Sequence, residues 1–377
     1  MEIETMKLWK QISIVFTCTL TCLYLLCSCN EKAVNIAGEK GDTLLTRHAR
    51  NLQIIEFEDR TEVCIRNPWD TTRVLHHYVL SEKEIKAEKG KVTVRIPLRK
   101  AAVFTSVHCA LLQELGCLDA IAGVCELKYI HLPQIQKRAK DGRIIDLGNG
   151  MEPNIERIMA LQPDALMPTP FENSGGYGRL ERMGIPIIEC ADYMEVSALA
   201  CAEWMRFYGR LFGKGKEADS LFNCVEQGYM EMKERASAAT NKPRLISERP
   251  SSGNWYMPSG ESTLGQLFKD AGADYLFKEL KGSGSTPLSM EHVLNRGLHA
   301  DVWLVKHHGK LSKKEIYSDH PMLKKIPAKI WLCDTSESLY YEEASFHPEW
   351  LLANLIDILH PELGIQSEKK YFCALEE

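Results

Sequence analysis

The stretch Gly215 to Ala236, GKEADSLFNCVEQGYMEMKERA, restricts what this chain can fold into more than any other. Ala218, Leu221, Phe222, Val225, Tyr229 and Met232 recur at i, i+3, i+4, i+7, i+11 and i+14, which puts them on one side of a helix. Acidic Glu217 and Asp219 fall in the first turn and basic Lys233 and Arg235 near the end, as the helix dipole favours. No Pro interrupts the run. At about 1.5 Å per residue the helix reaches roughly 33 Å, the width of a small domain. Two placements are open from the pattern itself: a surface helix on one sheet, or a rod between two α/β lobes.

The flanks favour the rod. From Arg99 onward, short apolar runs alternate with helical segments: Ala101–Ser106, Ile121–Cys125, Ile144–Asp146, Ala165–Thr169 and Ile185–Cys190 as strands, with Val107–Leu115 and Asn154–Leu161 as helices. That alternation predicts a mainly parallel sheet covered on both faces. Beyond the rod, Arg244–Glu248, Trp255–Pro258, Asp301–Val305 and Ile330–Cys333 read as strands, and Thr263–Gly272 and Phe346–His360 as helices. Ahead of both, Leu52 to Ile96 reads as an antiparallel β extension, with KVTVRI at Lys91–Ile96 alternating strictly.

The amino terminus reads as an export signal. Lys7 and Lys10 precede the apolar run Ile12–Leu26, which is short for a membrane-spanning helix. It ends Leu26-Cys27-Ser28-Cys29, which resembles a bacterial lipobox with Cys29 as the lipid anchor. Residues 1–28 are then a signal peptide and 29–51 a tether. The remaining nine cysteines form no CxxC pair and mostly lie in apolar runs, so they are expected as small buried hydrophobes. A net charge of −5 argues against a general nucleic-acid binder.

No phosphate-cradling GxGxxG or GxxxxGK[ST] and no GxSxG nucleophile elbow occurs, so no enzyme chemistry is expected. His76-His77 and His307-His308 lack the spacing of a metal site, and no metal bound by protein ligands alone and no cofactor is expected. Ligands of open α/β sheets bind beyond the carboxyl ends of the strands. Those ends carry Ser106, His108, Lys128, Tyr129, Phe171, Glu172 and Tyr177 before the rod, and Arg249, Trp255, Tyr256, Lys306 and His307 after it. Glu126, His131, His308, Thr335 and Tyr340 stand at the same ends. Aromatic faces with cations suit a flat anionic ligand.

Three motifs in order, LLQELGCLDAIAGV at Leu111–Val124, GNGMEPNIERIMALQPDALM at Gly148–Met167 and RLERMGIPIIEC at Arg179–Cys190, resemble the N-terminal lobe of periplasmic binding proteins that deliver ferric siderophores, haem or cobalamin to ABC importers. Arg210-Leu211-Phe212-Gly213 ahead of the rod and TLGQLFKDAG at Thr263–Gly272 continue the resemblance, although Ala273 departs from the family's second glycine. The resemblance runs from about Pro97 to Leu363 and leaves the β extension outside. It implies an α/β protein of two Rossmann-like lobes with mainly parallel sheets, residues 97–195 and 241–377, joined by a connecting segment at 196–240. It implies capture of an iron complex, first of all an anionic catecholate siderophore, with haem or cobalamin as alternatives. It also implies hand-over to a membrane permease docked on Glu156 and Glu291; a surface lipoprotein serving an outer-membrane transporter is the other arrangement. The location implied is the bacterial cell envelope, on a periplasmic or surface face.

Overall fold

The computed structural model describes residues 41–375 except positions 45, 71, 87, 172–176 and 368. The expected signal peptide and the expected anchor Cys29 lie outside the described residues.

The first sheet is the β extension. β1 (Asp42–Leu44), β2 (Leu52–Glu56), β3 (Thr61–Arg66) and β4 (Val74–Ser81) form an antiparallel meander, and β5 (Val92–Arg95) adds in parallel to β4. Among the described residues the first strand, Asp42–Leu44, falls inside the segment read from sequence as tether. The reason is long-range. The Glu203 carboxylate, 0% exposed, accepts the backbone N–H groups of Arg47, His48 and Ala49 at 2.8–2.9 Å. Buried Glu195 accepts those of Arg50 and Asn51 and the Trp204 indole N–H. Five consecutive amide donors are thus satisfied by two carboxylates, a requirement that a buried backbone must meet somewhere.

β6 (Ala101–Val103), β7 (Ile121–Val124), β8 (Ile145–Asp146) and β9 (Ala165–Met167) form a parallel sheet in the order β8-β7-β6-β9. Ala101–Val103 is buried throughout, as the continuous apolar run requires of a strand covered on both faces. The expected strand Ile185–Cys190 is reduced to a bridge between Ile187 and Leu166. Pro186 supplies an acceptor to Leu166 but has no N–H to return, which interrupts the ladder. Asn154 caps the helix Ile155–Leu161 by accepting the Arg157 N–H at 2.8 Å.

The second lobe holds β10 (Arg244–Ser247), β13 (Asp274–Tyr275), β15 (Val302–His307), β16 (Lys329–Asp334) and β17 (Cys373–Ala374) in the order β13-β10-β15-β16-β17. All of its pairings are parallel except that of β17. A side ribbon of β11 (Pro250–Ser251), β12 (Asn254–Pro258) and β14 (Ser285–Leu288) is antiparallel.

Between the lobes runs the helix Gly215–Ser237, one residue longer than its apolar pattern. Ala218, Phe222, Val225 and Tyr229 are buried, and Leu221 and Met232 partly so. Its first half packs on the helix Met205–Leu211, where a Cβ added to Gly209 would come within 2.4 Å of Ala218 Cβ. Arg210 forks onto Asp219 at 3.0 Å and also holds Glu56 of the β extension. Its second half packs on the C-terminal helix Pro348–Leu359, and Tyr229 and Lys233 both reach Asp270 at 2.9 Å. The β extension, the helix Met205–Leu211 and the second lobe are therefore all fastened to one rod. A second tie crosses behind the sheets: His347 sits between Glu114 at 2.7 Å and Glu349 at 2.8 Å, stacked on Trp350. All nine described cysteines are free thiols, and six of them are buried.

Candidate functional site

The carboxyl ends of β7, β10, β15 and β16 face one cleft of about 460 Å³. From the first lobe it is lined by Tyr129 and His131; from the second by Glu248, Arg249, Lys306, His307, His308, Thr335, Tyr341 and Glu342.

Each group is held by its own strand end. Beyond β7 the chain turns through Glu126 at φ 53°, and the Gln136 side chain donates to the Leu127 and Ile130 carbonyls, both at 2.7 Å. That fixes the loop carrying Tyr129 and His131. The His131 amide donates to the Glu342 carboxylate at 3.1 Å, joining the two walls of the cleft. Beyond β10 the chain turns through Glu248 at φ 62°, a left-handed conformation unusual for a residue with a side chain. The Trp303 indole donates to the Glu248 carbonyl at 2.8 Å and holds the turn. Four non-glycine residues among the described ones have positive φ, Glu126, Gln162, Glu248 and Ser252, and of these Glu248 lines the cleft. Beyond β15, the Gly309 amide donates to Asp334 at 2.9 Å, which fixes the loop after His307 and His308.

The charges are unevenly committed. Lys306 pairs with Glu248 at 2.9 Å and lies over the Tyr340 ring. Burial alone would lower its pKa, but Tyr340 and Glu248 raise it well above the ordinary lysine value. Arg249 has neither an ion-pair nor a hydrogen-bond partner among the described residues. Burial, with the neighbouring Arg249 charge, lowers the pKa of His307. Burial raises the pKa of Glu342. Among the described residues the cleft thus offers one uncommitted guanidinium, three imidazoles whose rings have no hydrogen-bond partner, and two tyrosine faces, Tyr129 at 52% and Tyr341 at 56% exposure.

Of the ligand contacts expected from sequence, Tyr129, Arg249, Lys306 and His307 converge here, with Lys128 just outside over the Tyr129 ring at 4.5 Å. Others are corrected. His108, 2% exposed, is locked between Thr105 and Asp192 in the core. Trp255, 0% exposed, donates its indole N–H to the Ser247 carbonyl. Tyr177 spends its hydroxyl on Glu189 at 2.8 Å. Ser106 opens the helix Ser106–Glu114, and Phe171 and Tyr256 are exposed, but none of the three lines the cleft. Glu172 lies outside the described residues. Sequence reasoning passed over Glu248, Tyr341 and Glu342; Glu248 immediately precedes Arg249 at a strand end and was findable, whereas Glu342 meets His131 only across 211 positions of chain. Glu156 and Glu291 are exposed in the first turns of the helices Ile155–Leu161 and Met290–Gly297, one per lobe.

Two α/β lobes joined by one long helix, with an open cleft at their strand ends, define a solute-binding protein of the two-lobed class. The chain belongs to the periplasmic binding protein family, whose model matches residues 102–330. It is similar to an uncharacterized lipoprotein of Methanocaldococcus jannaschii, with 22% identity over 96% of this chain and 95% of the relative. Among solved structures it is similar to a periplasmic heme-binding protein from Pseudomonas aeruginosa (TM-score 0.58, 15% identity, covering 74% of this chain and 99% of that one). It is also similar to a petrobactin-binding protein from Bacillus subtilis (TM-score 0.56, 17% identity, covering 79% and 99%). The β extension precedes the matched residues.

Proposed function

We propose that this protein is a lipid-anchored binding protein of the cell envelope that captures an iron chelate in the inter-lobe cleft and hands it to a membrane transporter. The cargo is an anionic ferric siderophore of the catecholate type. The observation that carries the reading is Arg249, a guanidinium without a partner among the described residues, in a cleft that also exposes the Tyr129 and Tyr341 rings. Such a cation gains charge-assisted hydrogen bonds from phenolate oxygens, and the tyrosines stack on the rings. Similarity to a petrobactin-binding protein supports an iron chelate, and the lipoprotein relative supports anchoring at Cys29.

The work of such a protein is capture and release, with no bond made or broken. Glu156 and Glu291 serve as the docking carboxylates for a permease; unchanged uptake after charge reversal at both would remove them from that role and favour an outer-membrane partner. Haem is the second reading, favoured by the imidazoles of the cleft and by similarity to a heme-binding protein. Isothermal titration of the full-length protein with a ferric tris-catecholate, haemin and cyanocobalamin distinguishes these. The expected result is a Kd of about 1 μM or tighter for the tris-catecholate and weaker binding of the other two. Absence of micromolar binding for all three overturns the reading.

A further inference from the structure

The second lobe carries a concentration of charge that its own structure does not use. Lys310 to Lys329 holds six lysines and two acids, a local charge of +4 in a chain whose net charge is −5. Within it the helix Lys313–Asp319 and the 3-10 turn Pro321–Lys325 pack on each other, and buried Ile316, Leu323 and Ile326 seat them on the lobe. The turn also packs on the helix Met290–Gly297, where a Cβ added to Gly297 would come within 3.2 Å of Ile326 Cδ1. The lysines therefore stand on a firmly packed surface.

Their charges are uncommitted. Lys314, Lys324 and Lys325 are exposed, and none of them, nor Lys310 or Lys313, has an ion-pair or hydrogen-bond partner among the described residues. Beyond β13, at the edge of the same sheet, Lys278 by contrast pairs with Asp274 and Lys281 with Glu261. Of the two acids in the stretch, Glu315 is occupied by its own helix cap, accepting the Ser312 N–H at 2.8 Å and O–H at 2.7 Å. Apolar side chains stand among the cations: Met322 is 50% exposed in the turn, and Leu298, 41% exposed, follows the helix on which the turn packs. Ammonium groups on apolar stems around exposed apolar residues suit an anionic bilayer. Headgroup phosphates meet the ammonium groups, and the apolar residues enter the boundary beneath them.

We infer that this face of the second lobe docks on an anionic lipid bilayer. The inference rests on the proposed place of the protein in the cell envelope, where an anchor at Cys29 keeps the chain at a membrane. The anchor fixes one end of the chain, and the lysine face sets which side of the second lobe rests on the headgroups. A soluble polyanion would meet the same ammonium groups but offers no apolar layer to Met322 and Leu298.

Co-sedimentation of the full-length, unacylated chain with vesicles tests this, using phosphatidylcholine alone and phosphatidylcholine with an equal part of phosphatidylglycerol. Each lysine close to an anionic surface contributes about fivefold in affinity, so Lys314→Gln/Lys324→Gln/Lys325→Gln is expected to bind the mixed vesicles about 100-fold more weakly than the wild type. Lys269→Gln/Lys278→Gln/Lys281→Gln removes as many charges from exposed positions flanking β13 and is expected to keep wild-type affinity. All these proteins share one amino terminus, so any partition of its apolar run cancels from the comparison. The wild-type preference for mixed vesicles is expected to fall between about 0.1 M and about 1 M salt, as the screening length shrinks from about 10 Å to about 3 Å. Met322→Ser leaves every charge in place and is expected to weaken binding about fivefold or more. Equal loss in the two triple variants, or unchanged affinity in the first, overturns the inference. So does tighter binding of soluble polyglutamate than of mixed vesicles with Met322→Ser silent, which assigns the face to an acidic protein. None of these measurements contains cargo or the acyl group, so a negative result leaves capture in the cleft and anchoring at Cys29 standing. Failure of either of those leaves vesicle binding measurable in its own right.

Discussion

Arg249→Glu is expected to weaken binding of a ferric tris-catecholate by about 100-fold or more, close to 3 kcal/mol. Among the described residues Arg249 is the cleft cation without a partner, since Lys306 is spent on Glu248. Reversal removes the charge-assisted bonds and places a carboxylate beside Glu248 and Glu342, facing an anionic ligand. Arg249→Lys keeps the charge and loses the planar fork, and about a tenfold loss is expected. Titration of both variants at two salt concentrations checks this, with the exposed part of the effect shrinking as salt rises. An unchanged affinity in Arg249→Glu places the cargo elsewhere.

Asp192→Ala is expected to lower the free energy of unfolding by about 3–5 kcal/mol, because it strands a buried partner. His108 reaches Asp192 at 3.0 Å, and the Tyr208 hydroxyl donates to the same oxygen at 2.6 Å. Burial alone would push the His108 pKa down, but the Cys190 sulfur and the Asp192 carboxylate outweigh it and raise it to about 10. Burial likewise opposes ionisation of Asp192, and His108 and Tyr208 more than offset it, leaving its pKa lowered. His347, despite burial, is raised to about 9 by Glu114 and Glu349. The histidines are raised above 6.5, so their contribution is complete below about pH 6.5 and is lost as pH climbs through about 9 to 10. The Asp192 contribution is complete above about pH 4 and is lost as pH falls through its lowered value. Denaturant unfolding is therefore expected to show lower stability at pH 9.5 than at pH 6. A flat profile over that interval contradicts the pairing.

What the sequence made legible was local. The rod Gly215–Ser237 follows from spacing within three turns, and the Asn154 cap from one side chain and an amide three residues on. Tyr129, Arg249, Lys306 and His307 were findable because parallel strands place their carboxyl ends at one edge, whatever covers the rest. The failures are long-range. His108 stands near a strand end, but its partner Asp192 lies 84 positions away and draws it into the core. Trp255 and Tyr256 are adjacent on β12, and the pleat sends the first inward and leaves the second at 46% exposure outside the cleft. The anchoring of Arg47 to Asn51 depends on Glu195 and Glu203, about 150 residues further on, which no local pattern announces.

Hydroxyl-radical footprinting of the full-length protein, with and without saturating ferric tris-catecholate, bears most directly on capture in this cleft. Tyr129 and Tyr341, both exposed and lining the cleft from the first and second lobe, are predicted to become protected, while Phe171 and Tyr256 keep their reactivity. Protection of Phe171 or Tyr256 with Tyr129 and Tyr341 unchanged would contradict it.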